Sequence, residues 1–363
     1  MESWKTLISQ GYSDIRGLQG TLGLSDGDVA VVRELQRTFP MFVNPYYLSL
    51  IDPNDPDDPI RRMSIPDVSE VDRSGSLDTS GERSNTVMAG LQYKYRETAL
   101  ILSTNQCAMY CRHCFRRRMV GLSEDETSQH LEGMFAYIRE HEEISNVLIS
   151  GGDAFMNSNA TIRRYLDGLC DIAHLDLIRF GTRTPVTLPQ RITEDDELLG
   201  ILEEYSKRKR IYVVTQFNHP REITKESTEA IDRLLRLGIP VRNQTVLLRG
   251  VNDDARTLGT LLRGLTTIGV IPYYVFQCRP VAGVVNRFQV PMREGYRIVE
   301  QAKRMQNGQG KCFRFVLSHV TGKVEILGPA QGEEMLFKYH QAKEESDQGR
   351  IFRQPIAEDQ CWL

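Results

Sequence analysis

No run of apolar residues in this 363-residue chain is long enough to cross a bilayer, which sets aside a helical membrane protein. Excess charge of either sign is missing too. With 45 Lys and Arg against 48 Asp and Glu, the net charge is −3 and the pI about 6.2. No basic surplus calls for nucleic acid, and no block of like charge marks a solvated tail. Internal repeats and low-complexity tracts are lacking. The start, Met1-Glu2-Ser3-Trp4-Lys5, carries an acid where a secretory leader has apolar residues, so no signal peptide is expected. Cysteine is scarce and odd in number: seven in all, three of them clustered. That suits a reducing cytoplasm better than a secreted disulfide framework.

What remains is the composition of an ordinary soluble globular protein, 40% hydrophobic and 26% charged. The length allows one large domain with appendages, or two domains. The first ninety or so residues read as helical and irregular. Ser25 can cap a helix running to about Phe39, with Asp28 at the third position and Leu24 and Val29 as a hydrophobic staple. From Asp52 to about Gly90 the chain is rich in Pro, Asp, Ser and Gly, and reads as a coiled segment wrapping a core or as a linker.

From Thr98 onward short β-branched runs alternate with helical stretches. Strands are expected at Thr98–Ser103, Asn146–Ser150, Leu177–Gly181, Ile211–Thr215, Pro240–Leu247, Ile271–Phe276 and Phe313–Leu317. Helices are expected at 126–141, 160–173, 194–206, 225–236, 255–267 and 293–306. This alternation predicts an α/β fold with a parallel sheet and right-handed crossovers, a partial (β/α)6-type barrel over 93–328. It follows an N-terminal helical and irregular extension, 1–92, and precedes a short charged C-terminal tail, 329–363. Loops at the C-terminal ends of the strands should carry the chemistry.

One such loop is Cys107-Ala108-Met109-Tyr110-Cys111-Arg112-His113-Cys114, directly after the first of these strands. Three thiolates can ligate three irons of a [4Fe–4S] cluster and leave the fourth open. An open iron can chelate the amino and carboxylate groups of S-adenosylmethionine (SAM), and an electron passed to the sulfonium releases a 5′-deoxyadenosyl radical. A structural zinc site would need His113 as its fourth ligand, a poor position between two cysteines. At the end of the next strand, Ser150-Gly151-Gly152-Asp153 offers glycine backbone for close approach to the SAM amine.

These motifs, with others in order, resemble the lysine 2,3-aminomutase family of radical SAM enzymes. The resemblance spans Tyr46 to Lys323. It rests on Tyr46-Tyr47-Leu48-Ser49-Leu50-Ile51, Asp58-Pro59-Ile60-Arg61-Arg62, the cysteine loop with Arg116-Arg117-Arg118, and Ser150–Asp153. It continues through Arg183-Thr184-Pro185, Leu188-Pro189-Gln190-Arg191-Ile192, Phe217-Asn218-His219-Pro220, Asn243-Gln244, Val246-Leu247-Leu248 and Gly250-Val251-Asn252-Asp253. The resemblance implies a cluster, SAM and pyridoxal phosphate (PLP). It also implies a small-molecule substrate, a reducing donor such as flavodoxin or ferredoxin, and a homodimer or higher oligomer. Nitrogen would move from Cα to Cβ of an amino acid after hydrogen abstraction by the adenosyl radical. Arg116 would clamp the substrate α-carboxylate. Gln244 would contact a cofactor.

The chain departs from the family in four places. Lys323 matches the lysine that carries PLP, but only Gly322 of a glycine run precedes it; the plain alternative is an exposed lysine in a turn. The phosphate grip around Tyr95 has Lys94 and Thr98 where the family has arginines, and Arg96 is expected to compensate. The aspartates that hold the distal ammonium of lysine are absent, and Arg279 stands at one of those positions. L-Lysine is therefore not expected as substrate, and Arg279 favours a distal carboxylate. The family's structural zinc site is also missing, with Asp254 at its central cysteine position. Cys170, Cys278 and Cys312 read as buried apolar residues. Two other readings compete with a PLP-dependent aminomutase: a PLP-independent radical SAM enzyme with another hydrogen abstraction, and a non-catalytic Fe–S protein.

Overall fold

A computed structural model describes residues 3–363, so Met1 and Glu2 of the leader reading lie outside the described residues. Twelve strands form one mixed, open sheet in sequence order. They are β1 (Thr86–Met88), β2 (Leu91–Tyr95), β3 (Thr98–Leu102), β4 (Asn146–Ser150), β5 (Leu177–Gly181) and β6 (Arg210–Thr215), then β7 (Val241–Leu247), β8 (Ile271–Gln277), β9 (Arg314–His319), β10 (Gly322–Pro329), β11 (Glu334–Ala342) and β12 (Ile351–Pro355). Neighbours from β3 to β9 pair in parallel. The flanking pairs at both ends are antiparallel.

The parallel part is built from strand–helix units. Helices Leu131–Glu140, Asn159–Cys170, Asp196–Ser206, Lys225–Arg236, Ala255–Thr267 and Met292–Arg304 each connect one strand from β3 to β8 to the next. Thr224 caps the fourth of these, and Asp254, at the zinc-cysteine position, caps the fifth through Arg256 N and Thr257 N. Along β5 the burial alternates. Ile178 and Phe180 are fully buried on the helix side, whereas Arg179 and Gly181 line a cavity on the other. A parallel sheet normally has both faces packed. Here one face packs helices and the other walls a site.

The two arms of the sheet come round to each other. Lys94 of β2 donates to the carbonyl of His319 at the end of β9, at 2.6 Å. At the N-terminus, Ser25 accepts from Asp28 N at 3.1 Å as expected, over a helix of Asp26–Gln36 that ends short of Phe39.

Three expectations need correction. The tail after Gly328 is not featureless: β11 pairs with β10 and β12, and Met335, Phe337 and Tyr339 are buried beneath it. Alternation of apolar and polar residues over Glu334–Ala342 gives it one buried face, and its polar content belongs to the other. Residues 126–130 are not helical, and the helix there begins at Leu131. Cys312 is exposed rather than buried, although Cys278 is buried.

The Pro-, Asp- and Ser-rich stretch is ordered. It forms a helix at Pro59–Ser64 and short turns at Val68–Val71 and Arg83–Asn85. It lies against the cysteine loop through two buried carboxylates. Among the described residues no helix is long and apolar enough to cross a membrane.

Candidate active site

The loop after β3 places Cys107, Cys111 and Cys114 on the wall of one cavity. Docking of this loop explains the two glycines after β4. Gly152 N donates to Thr104 O at 2.6 Å, and Asp153 N to Gln106 O at 2.8 Å. A Cβ on Gly151 would meet Thr104 O at 2.4 Å and one on Gly152 would meet Gln106 O at 2.3 Å, backbone atoms that cannot swing away. Gly151 also holds φ at +123°, a region that favours glycine. Asp153 is spent on the protein itself: Oδ1 accepts from Phe155 N and Thr182 Oγ1, and Oδ2 from Arg183 N.

No group of three or more His, Cys, Asp or Glu side chains among the described residues is close enough to hold a single metal ion. Three thiolates on one cavity wall are the donor set of a cluster with one open iron. Burial pushes the Cys114 thiol up to about 11, with Cys111 adding to the effect, and burial with the nearby Asp153 and thiols also raises the Cys107 thiol. Such thiols ionise when metal takes the place of the proton. Arg183 stands ready beside them. Its Nη1 donates to Cys111 Sγ at 2.8 Å, its Nη2 to Glu222 at 2.5 Å and its Nε to Gln216 O at 2.9 Å.

The arginines after the cysteines are not a solvated run. Arg116 is buried, and its Nε and Nη2 reach Glu82 Oε1 at 2.9 and 2.8 Å. Its Nη1 touches Ser150 Oγ at 3.2 Å. Arg118 bridges Glu82 and Glu126. Arg112, Arg117 and Arg287 converge on Glu70, which has no exposure. Burial raises the Glu70 carboxyl, yet the pull of Arg112, Arg287 and Arg117 overrides it and holds the group at about 2. Glu82 is held at about 2 in the same way by Arg116 and Arg118. Sequence reading missed both glutamates. A cluster of arginines in a chain of near-zero net charge was the signal that carboxylate partners had to be nearby.

Lys323 is half-buried on β10 and lines the same cavity, not an exposed turn. Its Nζ donates to Gln341 Oε1 at 2.7 Å and lies 4.8 Å from the centre of the Tyr95 ring. Burial, then the charges of Arg179, Lys94 and Arg279, hold its ammonium down at about 7. An amine neutral near physiological pH, in a pocket walled by Tyr95, fits a carbonyl cofactor.

Lys94, Tyr95, Gln244 and Arg279 also line the cavity. Arg279 makes no ion pair among the described residues, its Nη1 is buried without a partner, and burial brings its pKa down to about 10. Arg96 does not join them. It is exposed and reaches Glu345 at 3.4 Å, because it lies in the turn beyond the end of β2 at Tyr95. Its expected part in a phosphate grip is withdrawn.

Comparison with known proteins agrees with this geometry. The radical SAM superfamily profile matches residues 101–259, which hold the cysteine loop and most of the strand–helix units. The L-lysine 2,3-aminomutase of Clostridium subterminale is 38% identical over 308 residues, covering 84% of this chain and 73% of that protein. The glutamate 2,3-aminomutase of Clostridioides difficile is 39% identical over 308 residues, covering 84% and 72%. An Aquifex aeolicus protein, provisionally described as an L-lysine 2,3-aminomutase, is 40% identical over 324 residues, covering 88% and 86%. A radical SAM domain implies a [4Fe–4S] cluster and SAM, with a small-molecule substrate and an electron donor. The chain is an enzyme of the radical SAM aminomutase type and belongs to the lysine 2,3-aminomutase family.

Proposed function

We propose that the chain is a PLP-dependent 2,3-aminomutase, framed on a partial barrel, whose substrate is an amino acid other than lysine with an acidic distal group. The observation that carries the substrate reading is a pair of guanidiniums on one ring. Arg116 and Arg279 lie 4.7 and 4.1 Å from the centre of Phe115. Arg116 spends its Nε–Nη2 edge on Glu82, and its Nη1 reaches Ser150 Oγ at 3.2 Å and Gly151 O at 3.5 Å, which holds the guanidinium on the cavity wall. Arg279 offers an unpartnered Nη1 close by. Two such groups suit the two ends of a short dicarboxylate.

The carboxylates that line the cavity, Glu82 and Asp153, are both committed to the protein. A distal ammonium would find Arg279 and no acid. That one relative is a glutamate 2,3-aminomutase supports an acidic substrate for this group of proteins.

When bound, the cluster and SAM supply the radical and PLP carries the migrating nitrogen. Cys107, Cys111 and Cys114 would hold the cluster, and the backbone of Gly151 and Gly152 the polar end of SAM. Asp153 fixes that turn. Lys323 would take the PLP carbonyl beside Tyr95, with Lys94 and Gln244 reaching the cofactor from neighbouring strands. The enzyme would work in the cytoplasm as a homo-oligomer, reduced by a flavodoxin or ferredoxin.

The test uses anaerobic, cluster-loaded protein with a reductant, SAM and PLP. It should release 5′-deoxyadenosine and convert L-glutamate or a close acidic homologue to its β-isomer, leaving L-lysine unchanged. Conversion of L-lysine at a comparable rate would overturn the substrate reading. A loaded protein that releases no 5′-deoxyadenosine would overturn the radical reading. Borohydride should fix a pyridoxyl group on Lys323, and labelling elsewhere or nowhere would remove PLP.

A further inference from the structure

Among the described residues the Nζ of Lys323 has one hydrogen-bond partner, and it comes from the C-terminal segment. Lys323 on β10 sits directly opposite Gln341 on β11, and its Nζ donates to Gln341 Oε1 at 2.7 Å. Both side chains line the cavity.

Plain alternation would not put Gln341 there. Met335, Phe337 and Tyr339 turn one face of β11 into the core that also holds Val324 and Ile326, and the next residue in that series is Gln341. The register breaks first. Val324 pairs with Tyr339, yet Lys323 pairs with Gln341, so β11 carries one extra residue, His340. A bulge of this kind reverses the side that a strand residue takes. His340 is pinned by a 2.8 Å hydrogen bond between its Nε2 and the Tyr274 hydroxyl. Gly322 completes the fit. A Cβ on it would meet Gln341 O at 2.2 Å and Ala342 Cα at 2.9 Å, so a larger residue would push β11 away from Lys323.

The partner's neutrality matters as much as its place. The other groups around Nζ are the rings of Tyr95 and Tyr274, at 4.8 and 5.5 Å, and the charges of Lys94 on β2, Arg179 on β5 and Arg279 beyond β8. His340 is the titratable neighbour on β11. No carboxylate is among them. An amine that takes an aldehyde must first be unprotonated. Its nitrogen adds to the carbon, its two hydrogens leave with the carbonyl oxygen as water, and a C=N bond remains. A carboxylate at position 341 would hold a proton on Nζ, whereas an amide oxygen directs the amine without opposing its charge.

We propose that Gln341 is the positioning residue of Lys323, a neutral acceptor that aims Nζ into the cavity and releases it to an aldehyde. This rests on the reading of Lys323 as the residue that takes the PLP carbonyl.

The test makes two measurements across pH on anaerobic, cluster-loaded full-length protein. One is the rate of capture of pyridoxal 5′-phosphate, read as borohydride-fixed label on Lys323. The other, without pyridoxal phosphate, is acetylation of Lys323 by limiting acetic anhydride, read by peptide mass, which reports the free amine directly. In Gln341→Glu the pH at which both rise should move up by about one to three units, and capture at neutral pH should fall about tenfold or more. In Gln341→Leu capture should slow on the order of tenfold, with no upward move in pH. A residue that only shaped the fold would not separate the two variants in this way. Wild-type pH dependence in Gln341→Glu would overturn the assignment while leaving Lys323 as the anchor. If that variant fails to fold, capture by Gln341→Leu at the wild-type rate overturns it equally. Wild type that captures no pyridoxal phosphate at any pH would overturn the cofactor reading and the Gln341 assignment with it.

Discussion

Replacing Glu70 by glutamine should loosen the cysteine loop without touching a cysteine. Its Oε1 accepts from Arg112 Nε at 3.1 Å and Arg287 Nη1 at 2.5 Å, and its Oε2 from Arg112 Nη2 at 2.8 Å and Arg117 Nη2 at 2.6 Å. Glutamine keeps one oxygen and turns an NH2 group toward two guanidinium nitrogens. Two charge-assisted bonds are lost, at about 1.5–3 kcal/mol each. Breaking a buried ion pair from one side costs about 3–5 kcal/mol. The two routes agree on about 3–5 kcal/mol, a large share of the roughly 5–15 kcal/mol that stabilises a native domain. The melting temperature of the anaerobic protein should fall by about 5–15 °C. Arg112 and Arg117 flank Cys111 and Cys114, so iron retained per chain should fall as well. The acid limb gives a second reading. Glu70 titrates near 4.5 when unfolded and about 2 when folded, so its stabilisation is present above 4.5 and lost as pH falls toward 2. That part of the pH dependence should vanish in the variant. An unshifted melting temperature with full iron retention would refute the view that Glu70 clips the loop in place.

Gly152→Ala should prevent the loop from docking, because its Cβ would meet Gln106 O at 2.3 Å; iron content and 5′-deoxyadenosine release should both drop, and wild-type values would show that the strand–loop contact is dispensable. Capture of PLP by Lys323 should speed up as pH rises through about 7, where the buried amine loses its proton; a rise confined to pH near 10 would mean an ordinary solvated lysine. The same shift penalises the folded state below pH 7, and the penalty disappears as pH climbs toward the ordinary value of 10.5. Arg279→Asp should lower turnover of an acidic substrate roughly tenfold or more, and unchanged kinetics would remove Arg279 from the substrate pocket.

The parallel strands were legible because their signal is local. Leu177–Gly181 has the same bounds in sequence and structure, as does helix Lys225–Arg236. The cysteine loop was legible for the same reason: its spacing is contained within eight residues. The glutamates were not, since Glu70 and Glu82 meet their arginines across 34 to 47 residues of chain (Arg287 across 217) and no periodicity marks them. Arg96 was misread for a different reason. Its neighbours Lys94 and Tyr95 both face the cavity because the pairing of β2 with β3 shifts register between Tyr93 and Tyr95, and the next residue turns outward. A one-residue irregularity of this kind decides which side chains enter a site, and sequence alone does not locate it.

Charge gives the substitutions a common logic. A cavity built for a dicationic amino acid needs a free carboxylate at its distal end. Here both lining carboxylates are committed within the protein, Glu82 to ion pairs with Arg116 and Arg118, and Asp153 to hydrogen bonds from Thr182 and backbone N–H groups. The cations left over, Lys94, Arg179, Arg279 and Lys323, line the same cavity. An anion bound among them relieves buried positive charge. A substrate carboxylate on Arg279 would relieve part of it. A substrate ammonium in place of that carboxylate would add a fifth unpaired cation to the four already there.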